Sequence, residues 1–291
     1  MAGASIETTL ELWASSLRDV KQRMRPLFSQ DRVATSAGQF LDGLLGNEPR
    51  KTGWMRAEAA GDAGPWRQQA ILGRGSWDAD ALCELVRDYA LETLADDDAV
   101  LVIDETGFLK QGKASCGVAR QYTGSAGKIT NCQIGVFACY ASRHGHAFID
   151  RRLYLPKEWT DAPARMKAAR VPKDMCFATK PQLARKMIAQ AIAAKVPFSF
   201  VAADSVYGTG DIEAMLRKAG KATSWALRPT IRSALGARRR SLSTPLATLR
   251  RAFLARPGDD CQRVTAPKGR GCMIGPISNW PTLRLETTTA R

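Results

Sequence analysis

The chain has 291 residues, 45% hydrophobic and 24% charged, which excludes whole-chain disorder and is long enough for one large core or two smaller ones. It contains no run of ~20 apolar residues that would span a membrane, and its N-terminus lacks the order of a signal peptide. Seven cysteines without a C-x-x-C pair favour reduced thiols. We therefore expect a cytoplasmic protein with no membrane partner.

The net charge of +15 indicates a polyanionic partner such as DNA, because Lys and Arg displace the counterions of nucleic acid. The charge is unevenly distributed. Residues 222–291 carry thirteen basic and three acidic residues, which account for about two thirds of the net positive charge. The remainder of the chain is only mildly basic.

The first third of the sequence is helical in pattern. From Ile6 to Leu27, apolar residues recur at alternating spacings of four and three, which predicts one long amphipathic helix. We expect this stripe to be the core face of a helix bundle, with a coiled coil as the alternative. A second helix is predicted from Trp77 to Leu94. Basic residues between positions 46 and 74, among them Arg56, suit either DNA contact or a solvated face.

The pattern changes to strands near residue 100. An apolar run from Val100 to Ile103 predicts a strand buried on both faces and ending in Asp104. Two further strands are predicted over residues 133–140 and 147–155, and residues 116–127 are predicted to form a glycine-punctuated loop. A helix over residues 182–194, with Thr179 as its cap, precedes another buried run that ends in Asp204. A last helix, over residues 211–219, closes at Gly220.

This order places an aspartate at the end of the first and fourth strands. If those strands are parallel neighbours, both carboxylates meet at one edge, where two divalent cations about 4 Å apart could be held for phosphoryl transfer. Mg²⁺ needs only one or two protein carboxylates together with substrate oxygens. The alternative is that each aspartate merely caps a turn or helix.

Several sequence blocks resemble bacterial insertion-sequence transposases of the DDE superfamily. They are LVIDETGFLKQGKASCGVARQYTGSAGKITNCQIGVF, HAFIDRRLYLPKEWT, FATKPQLA and FVAADSVYG, and they occur in the order found in that family. The resemblance implies a ribonuclease H-like domain in which Asp104 and Asp204 are catalytic, metal-binding residues. It implies Mg²⁺ or Mn²⁺ as cofactor. It also implies that water activated by two ions releases a 3′ hydroxyl at the element end, which then attacks target DNA.

The family pattern continues with another core strand and a helix that carries a third carboxylate, a glutamate. Glu213 comes too early in the topology to fill this role, and Glu286 has neither a helix nor a basic partner around it. In the family mechanism Asp104 would bridge both ions and Asp204 would bind one, leaving the second ion weakly held. We therefore expect strand cleavage to be impaired or absent.

The residues from 222 onwards lack sustained periodicity and resemble an out-of-frame translation, so we expect the fifth core strand to be missing. The predicted organisation is α/β: a helical domain over residues 1–95, then an incomplete ribonuclease H-like mixed sheet flanked by helices over residues 96–221, then an aberrant basic tail over residues 222–291. A genuine DNA-binding tail is the rival interpretation. A different class of function is a non-catalytic fragment that binds DNA or dimerises, and so modulates an intact transposase.

Four basic residues, Lys110, Lys113, Arg120 and Lys128, follow the first strand and are candidate contacts to DNA phosphates. The alternative is that they belong to a solvated loop. The segment GFLKQGK also matches the start of a phosphate-binding loop, which gives a P-loop NTPase as a lesser possibility. Ala114 stands where such a loop has Ser or Thr, and the predicted loop leaves no helix after it.

Overall fold

A computed structural model describes residues 5–226. The N-terminal part consists of α1 (Ile6–Met24), a 3₁₀ turn (Arg25–Leu27), α2 (Asp31–Leu45), α3 (Gly53–Ala59), α4 (Trp66–Gly73) and α5 (Ala79–Leu94). Next come β1 (Val100–Leu109), β2 (Ala119–Thr123), β3 (Lys128–Ser142), β4 (Gly145–Tyr154), α6 (Lys157–Thr160) and α7 (Pro163–Ala168). The last elements are α8 (Lys180–Ala193), β5 (Phe200–Asp204), a 3₁₀ turn (Ser205–Tyr207), α9 (Gly210–Lys218) and β6 (Ala222–Ala226).

These strands form one mixed sheet in the order β2-β3-β1-β5-β6, with β4 also paired to β3. The central strand β1 is antiparallel to β3 and parallel to β5. Helix α8 lies between β4 and β5 in the chain and connects the antiparallel strands to the parallel ones. The mixed sheet flanked by helices confirms the predicted α/β, ribonuclease H-like class.

One face of the sheet carries the main hydrophobic core. Leu101 and Ile103 of β1 are almost fully buried there, together with Val201 of β5. Helices α8 and α9 pack on this face, and so does the C-terminal end of α5. Because side chains alternate along a strand, the residues between these apolar positions point to the opposite face.

The structure corrects two expectations about strands. The predicted loop over residues 116–127 contains β2, which pairs with the beginning of β3. The fifth core strand, expected to be missing, is present as β6 and runs parallel to β5, with Phe200 opposite Ala222. Its sequence is weakly apolar, but Trp225 packs against the main core and donates a 2.9 Å hydrogen bond to Glu213.

The helical N-terminal part only partly follows the bundle interpretation. The apolar stripe of α1 is exposed in its first half, where Trp13 is 65% exposed, and half-buried near Met24. Its C-terminal end is held to α5 by an ion pair between Arg23 and Glu92, and to α2 by a pair between Lys21 and Asp42. A small core around Phe28 joins α2 and α4.

Candidate functional site

The two aspartates singled out by the sequence lie at neighbouring strand ends. The parallel pairing of β1 with β5 aligns Ile103 with Ala203, so the following residues, Asp104 and Asp204, come next to each other in the two strands. Both side chains belong to the face opposite the main core, since Ile103 and Ala203 are core residues. Asp104 is exposed and Asp204 is half-buried. The structure therefore brings together the residues that the sequence pattern paired.

The electrostatic environment of Asp104 opposes its negative charge. Desolvation by the surrounding protein raises the pKa of this carboxyl, and the charges of Glu105 and Asp204 raise it further. The main-chain N–H of Glu105, 2.8 Å from Oδ1 of Asp104, and the charge of Lys180 act in the opposite direction. A divalent cation between the carboxylates would relieve this repulsion, and carboxylate oxygens are the ligands that Mg²⁺ prefers. The donor set therefore fits a divalent metal.

The turn after β5 fixes the second aspartate. Oδ1 of Asp204 accepts hydrogen bonds from the main-chain N–H of Ser205 at 2.5 Å and from its hydroxyl at 3.1 Å. These bonds hold the 3₁₀ turn that ends at Tyr207. Asp204 therefore caps a turn, as the alternative interpretation expected, and it also lies next to Asp104 at the ends of the two strands.

Behind the aspartates lies a group that sequence reasoning did not identify. Glu105 accepts a 2.7 Å hydrogen bond from Nζ of Lys180 and a second one from the hydroxyl of Tyr207. Tyr207 is 1% exposed, and burial together with its bond to Glu105 raises the pKa of its phenol, which keeps it a donor. One sequence signal could have revealed the group. Lys180 is the first residue of α8, where the helix dipole disfavours a positive charge.

No third carboxylate joins the pair within the described residues. Over residues 5–226, no cluster of three His, Cys, Asp or Glu side chains is arranged to hold a metal. Glu213 accepts its hydrogen bond from Trp225 on α9's side of the sheet. Glu286 and the tail beyond position 226 lie outside the described residues.

The candidate DNA-contacting residues cluster around β2. Lys113, Arg120 and Lys128 are exposed, whereas Lys110 is half-buried and its carbonyl accepts a 2.7 Å hydrogen bond from Asn131. In the N-terminal part, by contrast, Arg56 is 7% exposed and stacks on Phe40, 4.2 Å from the ring centre. Arg56 is therefore a packing residue, not an accessible contact for DNA.

The GFLKQGK segment does not have the surroundings of a phosphate-binding loop. Gly107 lies inside β1, and the next element is the strand β2, whereas a phosphate-binding loop leads into a helix. The glycine has a packing reason, because a Cβ there would collide with the side chain of Thr123. The hydroxyl of Ser125 also donates to the carbonyl of Gly107 at 3.0 Å.

The strand order and the helices on the sheet define a protein of the ribonuclease H-like fold class. A family model described as "DDE superfamily endonuclease" matches residues 23–251, and the chain belongs to this family. It is also 31% identical over 191 residues to the probable transposase for insertion sequence element IS701 of Microchaete diplosiphon. That alignment covers 64% of this chain and 46% of the relative, so the chain spans less than half of the relative's length. Among residues 5–226, no helix is long and apolar enough to cross a membrane.

Proposed function

We propose that the chain is an insertion-sequence transposase by lineage and that Asp104 and Asp204 are its metal ligands. The observation that carries this proposal is their position one residue beyond the last β1–β5 pair, on one face of the sheet. The relative's name and the family match support the reaction class, which is metal-dependent DNA cleavage and strand transfer. When bound, Mg²⁺ or Mn²⁺ would supply Lewis-acid activation of water and of the scissile phosphate.

In this reaction the two aspartates provide oriented oxygen ligands. Asp104 is exposed on the face opposite the main core, and Asp204 is held by its turn so that one oxygen stays bonded to Ser205. Since Glu213 is bonded to Trp225, it does not complete the pair. We infer that the chain on its own cleaves DNA weakly or not at all, because no third carboxylate among residues 5–226 is placed to hold the second ion.

A nicking assay on element-end DNA with Mg²⁺ or Mn²⁺ tests this proposal, with Asp104→Ala as the matched variant. We expect little cleavage from either protein. Robust cleavage that Asp104→Ala abolishes would show that Asp104 is catalytic and that the chain is active, which would overturn the inferred impairment. Robust cleavage that is equal in both proteins would overturn the assignment of Asp104.

The exposed basic residues around β2 favour a second function, which is DNA binding without cleavage. We propose that Lys113, Arg120 and Lys128 contact phosphates and that Lys110 supports the same loop. Replacing the three exposed residues by Ala should make DNA binding less sensitive to salt. The slope of log affinity against log salt concentration should fall by about 0.9 for each phosphate that is no longer neutralised.

The matched control replaces three basic residues of α8 and its C-terminal end, Arg185, Lys186 and Lys195, by Ala. It removes the same charge from another surface and should leave most of the slope intact. If the slope decreases equally in the two triple variants, DNA binding depends only on net charge and the proposed contacts around β2 are refuted. A homodimer on DNA belongs to the same proposal, and sedimentation of the complex at low salt would reveal it.

A further inference from the structure

We propose that Glu105 is a positioning residue that sets the spacing of Asp104 and Asp204 through its bonds to Tyr207 and Lys180. This inference rests on the proposed function, since it assumes that the two aspartates share a metal site. It assigns a role to a carboxylate that points away from that site.

The main-chain pairing between β1 and β5 stops just before the two aspartates. The ladder between β1 and β5 ends at Ile103 and Ala203, one residue before the aspartates. Beyond this point β1 continues along β3, while β5 turns away into its 3₁₀ turn. The ladder therefore places the two aspartates side by side, but no main-chain hydrogen bond links the end of β1 to the turn that follows β5.

The bond between Glu105 and Tyr207 is the next cross-link between the two strand ends. Glu105 follows Asp104 directly, and Tyr207 comes three residues after Asp204. Tyr207 is buried, so its hydroxyl donates to a carboxylate where water competes little, and a charge-assisted bond in such surroundings is strong. This bond restrains the turn after β5 against the end of β1.

Lys180 ties a third element to the same carboxylate. Its 2.7 Å bond to Glu105 anchors the N-terminus of α8, which is itself held by a capping box between Thr179 and Gln182. A lysine in this position is disfavoured by the helix dipole, and the carboxylate of Glu105 offsets that effect. The first turn of α8, the end of β1 and the turn after β5 are thus joined at one side chain.

The test measures Mn²⁺ affinity of the full chain from the electron paramagnetic resonance signal of free Mn²⁺, alongside thermal unfolding of each variant. Tyr207→Phe is the decisive change, because it removes the cross-link without altering any charge near the aspartates. We expect Tyr207→Phe and Glu105→Gln each to weaken Mn²⁺ binding about tenfold, as is typical when partners of metal ligands are removed. The double variant should bind no more weakly than the weaker single variant, because Glu105→Gln weakens the same cross-link that Tyr207→Phe removes.

Asp96→Asn is the matched control. It removes a carboxylate that joins two segments at the other end of β1, where Asp96 holds Arg143 through bonds of 2.7 and 2.9 Å. We expect this variant to lose stability and to keep its Mn²⁺ affinity. If Tyr207→Phe lowers the unfolding temperature but binds Mn²⁺ as tightly as Asp96→Asn, the role of Glu105 is only structural and the inference is overturned.

Asp104→Asn separates this inference from the function on which it rests. In one outcome, Asp104→Asn abolishes Mn²⁺ binding, while the Mn²⁺ affinities of Tyr207→Phe and Glu105→Gln stay within about twofold of the parent's, well short of the expected tenfold effect. The positioning role then fails and the metal site stands. If Asp104→Asn binds Mn²⁺ like the parent, the proposed metal site itself fails. Should Glu105→Gln not fold, Tyr207→Phe carries the test alone.

Discussion

Replacing Asp104 by Asn should stabilise the metal-free protein while abolishing its response to metal. The carboxylate of Asp104 is partly desolvated and lies near the charges of Glu105 and Asp204, all of which oppose its ionisation. Asn keeps a similar shape and an oxygen that can accept the bond from the N–H of Glu105. Removing an unfavourable surface charge typically adds about 0.5–2 kcal/mol to the free energy of unfolding, and we expect the lower end of this range because solvent screens the exposed Asp104.

The effect should depend on pH and on metal. Because the pKa of Asp104 is raised in the folded state, the ionised carboxylate destabilises the fold at neutral pH, and protonation removes this penalty as the pH falls through that raised pKa. The advantage of Asp104→Asn should therefore shrink in acid and vanish below the pKa of the unfolded state. With Mg²⁺ at about 100 times its dissociation constant, the parent should gain about 2.7 kcal/mol. For a domain of this size, that gain raises the unfolding temperature by roughly 5–10 °C.

Differential scanning calorimetry in EDTA and in Mg²⁺, at neutral and acidic pH, measures both effects. A lower unfolding temperature for Asp104→Asn than for the parent in EDTA would refute the predicted penalty, since the carboxylate would then be stabilising. An equal rise of both unfolding temperatures in Mg²⁺ would refute the role of Asp104 in metal binding. In that case the ion binds elsewhere or without Asp104.

Two further changes test the packing around the sheet. Trp159→Ala should lower the free energy of unfolding, measured in urea, by about 3–5 kcal/mol. Trp159 is 1% exposed, and its indole N–H donates to a main-chain carbonyl at 2.8 Å. A decrease of less than about 1 kcal/mol would contradict this packing. Asp96→Asn should destabilise the protein at neutral pH, because Arg143 holds the pKa of Asp96 well below its usual range. The stability that this pair contributes is present above the unfolded-state pKa and is lost as the pH falls through the lowered pKa. The free energies of unfolding of the two proteins should therefore become equal in strong acid. A difference that stays constant at all pH values would refute the role of the ion pair.

The elements that the sequence predicted well are those with a strong local signal. The apolar run before Asp104 and the run before Asp204 became the adjacent strands β1 and β5, and Thr179 caps α8 with its side chain. A fully buried strand needs a continuous apolar run, and a cap needs a particular side chain at one position, so both can be read without knowing the rest of the fold. The pairing of the two aspartates followed from topology once these strands were placed.

The elements that the sequence missed depend on distant partners. β2 lies in a glycine-rich segment, and it is a strand because β3 extends far enough to pair with it. β6 has Thr, Ser and Trp where a strong strand would have aliphatic residues, and it forms along the free edge of β5. In both cases the partner strand supplies the hydrogen bonds, and β propensity is known to depend on such context.

The site shows the same division between local and distant information. Two adjacent acidic residues, Asp104 and Glu105, look alike in the sequence, yet alternation along β1 sends them to opposite faces. One lies beside the like charge of Asp204, and the other is neutralised by Lys180 and bonded to Tyr207. The sequence identified the first because a strand ends in it. The second becomes visible only through its partners, and the lysine that begins α8 against the helix dipole is the local irregularity that marks it.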